Sequence, residues 1–183
     1  MSAERLNRLY LTGFMGCGKS TVAPRVARLL GFRSIDLDDG IERRTGKTVS
    51  EIFSEDGEAA FRALERAALL ETGKMDRVVV SLGGGTLTFG GNREFVGSAG
   101  LLVYLRVDFE TRFFRMRAKE DRPLLRESPG RAPDEAALRR TMVRLFAGRE
   151  PYYNMADLVI DAGDRTPEAL AEMIAAAVAG NPG

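Results

Sequence analysis

Nine consecutive residues carry the clearest chemistry in the chain: Gly13-Phe14-Met15-Gly16-Cys17-Gly18-Lys19-Ser20-Thr21, a match to G-x-x-x-x-G-K-[ST]. Such a stretch can hold phosphate, because its glycines let the backbone curl until several N–H groups point inward. A helix that follows adds its positive end. In that frame Lys19 reaches the β- and γ-phosphates, and the Ser20 hydroxyl stands where Mg²⁺ is held. Asp36-Leu37-Asp38-Asp39 offers a second chemistry. If the chain is still extended there, Asp36 and Asp38 point the same way. One can then hold a metal-bound water while the other accepts a hydroxyl proton. Asp39 reads as the cap of the next helix. Gly83-Gly84-Gly85 lets backbone amides come close to a small ligand. Arg62, Arg122 and Arg149 carry planar forks suited to carboxylate or phosphate, although each also reads as a surface arginine.

These groups need elements to hold them. Arg8 to Thr12 is a short β-prone run before the glycine loop, and Val22 to Leu30 has helical apolar spacing with a stop at Gly31. Phe32 to Leu37 reads as a second strand ending in the acidic residues. A short helix over Asp38–Thr45 stops at Gly46, and Thr48-x-x-Glu51 has capping-box spacing. A longer helix, about 57–71, is expected to bury Ala60, Phe61, Leu64, Ala67, Ala68 and Leu70. Val78-Val79-Val80-Ser81, Leu101 to Leu105 and Leu158 to Ile160 are apolar runs of the kind found inside parallel sheets. The alternation predicts an α/β fold, a parallel sheet with helices on both faces. Ligands of such sheets sit beyond the carboxyl ends of the strands, where all these groups fall. Arg117 to Pro133 breaks the pattern: it is rich in charge, contains prolines and has little to bury. A mobile lid that keeps water from a transferring phosphoryl is the functional reading, a solvated loop the plain one.

Composition narrows the chemistry. With 183 residues and a net charge of +1, the chain reads as one domain, 1–183, and not as a general binder of nucleic acid or membrane surfaces. Between Arg106 and Arg149, twelve Arg and Lys face seven Asp and Glu, an excess suited to phosphates or a carboxylate. There is no histidine and one cysteine, so an internal disulfide, a cysteine cluster and histidine catalysis are all excluded. A metal here needs oxygen ligands, and Mg²⁺ is the natural candidate. No apolar run is long enough to span a bilayer and the first residues do not form a signal peptide, so a cytoplasmic protein is expected.

Taken together, the motifs resemble the shikimate kinases, small P-loop enzymes of aromatic amino-acid biosynthesis. The resemblance covers about residues 8–175. It rests on the glycine loop at 13–21, Asp-Leu-Asp at 36–38, Phe-Arg at 61–62, Gly-Gly-Gly at 83–85, Arg-Pro-Leu-Leu at 122–125 and Arg-Glu-Pro-Tyr-Tyr at 149–153. It implies a five-stranded sheet in the order 2-3-1-4-5, a substrate-binding subdomain at about 36–65 and a lid at about 115–132. The activity it implies is transfer of the ATP γ-phosphoryl to the 3-hydroxyl of shikimate. By position, Gly16, Cys17, Gly18, Lys19, Ser20 and Thr21 would wrap the phosphates, with Ser20 and Asp36 serving Mg²⁺. Asp38 would meet the reacting hydroxyl as base or orienter. Arg62 and Arg149 would clamp the carboxylate, and Gly83, Gly84 and Gly85 would meet the substrate through the backbone. Arg122 would reach the transferring phosphate from the lid, while Arg115 and the Arg165-Thr166-Pro167 turn would contact adenine. A monomer with no macromolecular partner is expected. Cys17 stands where the family often has serine; its thiol, beside a helix N-terminus, is expected to react so that oxidation or alkylation blocks nucleotide binding.

Three alternatives stay open. Another small-molecule kinase of this build, such as a gluconate kinase, shares the loop but needs no combined Asp38, Arg62, triple glycine and Arg149. A regulatory NTPase is disfavoured by the absence of an N-K-x-D run. A degenerate, non-catalytic relative is disfavoured because every expected catalytic position holds a suitable residue.

Overall fold

In a computed structural model of the chain, which describes residues 5–117 and 134–180, β1 (Arg8–Thr12) is the middle strand of a five-stranded sheet. On one side lie β3 (Val78–Ser81) and then β2 (Arg33–Asp36); on the other lie β4 (Leu101–Arg106) and then β5 (Leu158–Asp161). Every pairing is parallel, with Tyr10 opposite both Val80 and Leu102. The order 2-3-1-4-5 is the one implied by the resemblance. The inner strands are apolar runs because both of their faces are covered. Arg33 and Ser34, on the edge strand, are exposed.

Alternate side chains feed two cores. Leu9, Leu11, Val79 and Val103 pack under α1 (Lys19–Leu30) and α8 (Pro167–Ala179). Tyr10, Val80, Leu102 and Tyr104 pack on the other face with Phe113 of α6 (Phe109–Arg117) and Met142 of α7 (Glu135–Tyr153). A third cluster, Ile41, Ile52 and Phe61, sits between the helices of the 36–65 region. No helix among the described residues is long and apolar enough to cross a membrane.

Local chemistry sets where these elements begin. The α1 helix runs between Gly18 and Gly31, both left-handed. The α2 helix (Leu37–Thr45) starts at Asp36, whose carboxylate accepts from the Asp38 and Asp39 N–H groups, and stops at left-handed Gly46. The expected cap was Asp39; the cap is Asp36, because the strand ends there and the first free helical N–H groups face back toward it. Asp38 therefore lies on a helix, not on extended chain. The expected capping box is present: Thr48 and Glu51 satisfy each other's backbone N–H at the start of α3 (Val49–Glu51). A π turn, Ile52–Asp56, leads into α4 (Gly57–Thr72).

The buried face of α4 departs from expectation. Phe61, Glu65, Leu69 and Thr72 are buried, while Ala67 and Leu70 are exposed. Two polar residues can lie inward because partners await them. Thr72 bonds Tyr10 (3.0 Å) and the Leu69 carbonyl (2.6 Å), and Thr86 donates to Glu65 (2.5 Å). Most of the expected lid, Arg122 included, lies outside the described residues.

Candidate active site

The strand ends converge on a cavity of about 470 Å³, within the range of small-molecule sites. Its walls come from the loop after β1, the end of β2, the loop after β3, α4, α6, α7 and the turn after β5. Every sequence-predicted site residue except Arg122 lines it: Gly16 to Thr21, Asp36, Asp38, Arg62, Gly83 to Gly85, Arg115, Arg149 and Arg165.

The floor is the glycine loop. Gly13 has φ 144°, and a Cβ there would lie 2.7 Å from the Leu105 carbonyl and 2.8 Å from the Cys17 sulfur. A side chain is excluded twice over, by conformation and by space. Lys19 is nearly buried, and its Nζ donates to the carbonyls of Gly13 (2.7 Å) and Phe14 (3.3 Å), bracing the loop. Ser20 Oγ donates to Asp36 Oδ2 at 2.7 Å, which brings a hydroxyl and a carboxylate together at the loop's edge. Cys17 does not behave as expected. It is 1% exposed and belongs to the core cluster under α1, with its sulfur 3.6 Å from Lys19 Nζ. The β1–α1 turn needs a small side chain pointing inward there, so the thiol packs instead of facing a reagent.

The opposite wall is cationic. A Cβ placed on Gly85 would lie 3.0 Å from Arg62 Nη2 and 3.3 Å from Arg149 Nη2, so two guanidinium groups arrive at one point. Arg149 is 7% exposed; burial, the largest influence, pulls its pKa down, Tyr153 opposes this and Arg62 adds to it. Two like charges held this close suit an anion between them. Arg62 is anchored by Glu65 (2.8 Å) and Glu58 (3.0 Å), both on α4. The Tyr153 hydroxyl donates to the Gly84 carbonyl, fixing the loop after β3 to the end of α7. Glu65 and Tyr153 shape this wall; Glu65 was not singled out from sequence, and Tyr153 entered only as the last residue of the 149–153 motif, with no role assigned. For Glu65 the available signal was its place three residues after Arg62 on the same helical face.

The remaining predicted groups frame the mouth. Arg115 Nη1 donates to the Gly16 carbonyl (3.3 Å), and Arg165 Nη1 to the Asp161 carbonyl (2.5 Å). Thr166 caps α8, with Pro167 following it into the cavity wall.

A parallel 2-3-1-4-5 sheet with a phosphate loop after its middle strand and a cationic wall facing that loop is a P-loop kinase fold. The family model for shikimate kinase matches residues 15–179. A shikimate kinase of Chlorobaculum tepidum is 46% identical over 152 residues, covering 83% of this chain and 80% of that protein. One of Bacteroides fragilis is 44% identical over 153 residues, covering 83% of each. Among solved structures, a shikimate kinase from Acinetobacter baumannii in complex with shikimate superposes with a TM-score of 0.87 at 34% identity, over 98% of this chain and 96% of that one. The chain belongs to the shikimate kinase family, and with it to the ATP-using kinases.

Proposed function

We propose that the chain transfers the γ-phosphoryl of ATP to the 3-hydroxyl of shikimate, giving shikimate 3-phosphate and ADP, with its own residues in the following roles. The observation that carries the substrate reading is the meeting of Arg62 and Arg149 at Gly85, opposite the phosphate loop. A substrate that combines a carboxylate with a reactive hydroxyl spans those two walls, carboxylate to the arginines and hydroxyl toward Asp38 and the loop. Gly83, Gly84 and Gly85 meet it through the backbone. Backbone amides from Gly16 to Thr21 and the Lys19 ammonium neutralise the phosphates. Asp38 orients the hydroxyl and takes its proton as the oxygen attacks γ-phosphorus and the bond to the β-phosphate oxygen breaks. Arg115 and the Arg165 turn flank the adenine, and Arg122 adds charge at the transferring group.

The Ser20–Asp36 pair fits Mg²⁺, a hard cation that takes oxygen ligands and keeps several waters. Ser20 would ligate it directly and Asp36 through water; the ion supplies charge neutralisation at the phosphates. We further propose a cytoplasmic monomer organised as one domain, with a substrate-binding subdomain at about 36–65 and a lid at about 115–132.

The test is ADP release from Mg·ATP with shikimate, quinate, gluconate or no acceptor. Turnover with shikimate and not with gluconate is expected. Turnover with gluconate alone keeps the kinase and discards the substrate. Hydrolysis indifferent to every acceptor overturns the reading.

A further inference from the structure

The Arg62 guanidinium is held at its edge by acids, but its flat face is held by something else. Nε and Nη2 donate to Glu58 (3.3 and 3.0 Å) and Nη1 donates to Glu65 (2.8 Å). Nη1 and Nη2 keep N–H bonds to spare, and both nitrogens lie beside Gly85, 3.3 and 3.0 Å from where its Cβ would stand. Three phenylalanines surround the group, with Phe89 nearest: the Arg62 Cζ is 4.3 Å from the centre of its ring, against 5.2 Å for Phe61 and 5.9 Å for Phe53. Phe53 and Phe61 line the cavity, whereas Phe89 does not. Phe89 backs the arginine from outside: the residue is 39% exposed, and the Arg62 side chain is only 10% exposed.

The segment carrying Gly85 also delivers Phe89. A 3₁₀ turn, Thr86–Thr88, follows Gly85 directly, with Thr88 N and Oγ1 both donating to the Gly85 carbonyl (3.0 and 2.7 Å). Left-handed Gly90 and Gly91 then turn the chain away, so the ring stays over the arginine. One short loop therefore meets Arg62 at its edge with backbone and at its face with an aromatic ring.

We infer that Phe89 is a positioning residue for substrate capture: its ring stacks on Arg62, keeps water from that face and holds the guanidinium edge toward the substrate carboxylate. The inference rests on the reading of Arg62 as part of the carboxylate clamp. Water at that face would screen a charge whose field two glutamates already weaken. The ring's negative face favours the cation, and a saturated side chain of similar size has no such face.

The experiment compares wild type, Phe89→Leu and Phe89→Tyr by steady-state kinetics on shikimate and on ATP across a NaCl series, with melting curves as a fold check. Phe89→Leu is expected to raise KM for shikimate about three- to tenfold and to steepen its salt dependence. KM for ATP and kcat should stay within about twofold. Phe89→Tyr, which keeps the ring, should restore the wild-type KM. An unchanged shikimate KM in Phe89→Leu overturns the inference while leaving the substrate reading intact. Equal rises in both KM values, or failure of tyrosine to rescue, also overturn it by pointing to general loosening. A wild-type protein that does not phosphorylate shikimate removes the clamp reading and the inference together.

Discussion

The Tyr153 hydroxyl hands its hydrogen to the Gly84 carbonyl, so the last turn of α7 holds the loop that presents Gly85 to both arginines. Burial pushes the Tyr153 hydroxyl well above its ordinary 10.0, and Tyr10 and Tyr104 are raised by the same cause. These groups count fully toward stability below about pH 10. Above it the unfolded chain releases protons that the folded chain keeps, so stability falls as pH rises. Tyr153→Phe removes one such group and leaves the half-buried Gly84 carbonyl without its partner. We expect a loss of about 1–3 kcal/mol near neutral pH. Between about pH 9.5 and 11 the variant should lose stability less steeply than wild type. Urea titrations across that range measure both effects, and superimposable slopes would contradict the second.

Asp38, the proposed base, is where catalysis and binding are expected to separate. It stands on the first turn of α2, at the cavity, and a Cβ on Gly83 would lie 3.3 Å from its Oδ1. Asp38→Asn keeps the shape and removes the carboxylate proposed as base. Turnover should fall by ~10²-fold or more while ATP affinity stays near wild type. Asp36→Asn should act differently, because Asp36 caps α2 and bonds Ser20. There the expected effect is a weaker dependence of ATP binding on Mg²⁺. Calorimetric titration of Mg·ATP alongside initial rates distinguishes the two, and wild-type turnover in Asp38→Asn removes it from the mechanism.

The sheet was legible because Val78–Val80 and Leu101–Leu105 are buried on both faces and so are written as continuous apolar runs. The phosphate loop was legible because it is local: motif, strand and helix follow one another along the chain. The inward face of α4 was not, since Glu65 and Thr72 find part of their hydrogen bonding inside from Thr86 and Tyr10, which lie 21 and 62 residues away. Periodicity counts apolar residues and cannot anticipate a polar one whose partner comes from another element. The cap of α2 was missed for a smaller reason. Asp36, Asp38 and Asp39 are all good caps, and where the strand ends decides which of them serves.

Among the described residues, Arg112 is a buried cation with no carboxylate in salt-bridge contact. It is 3% exposed, sits 3.9 Å from the centre of the Phe146 ring and 5.3 Å from that of Phe14, and leaves Nη1 with no hydrogen-bond partner. Burial, the main cause, draws its pKa down. Stacking returns about 2 kcal/mol, less than the several kcal/mol that desolvating an ion costs. Arg112→Met fills similar volume, and its thioether makes weaker but favourable contacts with the rings. Its stability should therefore match or exceed that of wild type, and guanidinium denaturation measures it. A loss of more than about 2 kcal/mol would show that the Nε bond to the Asp108 carbonyl outweighs the desolvation.

Cys17 offers the same contrast between letter and environment. Beside a helix N-terminus a thiol reads as reactive, yet this one lies in the core against Gly13. A reagent must wait for the loop to open, so labelling of the folded protein should run ~10²-fold or more slower than in urea. Bound ATP, which needs the loop closed, should slow it further. Once attached, an adduct at Cys17 pushes on the Gly13 turn and forces the glycine loop out of shape, so the labelled protein should lose nucleotide binding in proportion to label. Disulfide-exchange rates measured with and without ATP, followed by nucleotide titration of the labelled fraction, test the chain of steps. Equal rates in folded and unfolded protein would place the thiol at the surface, and full binding after complete labelling would free the loop from any dependence on the residue packed beneath it.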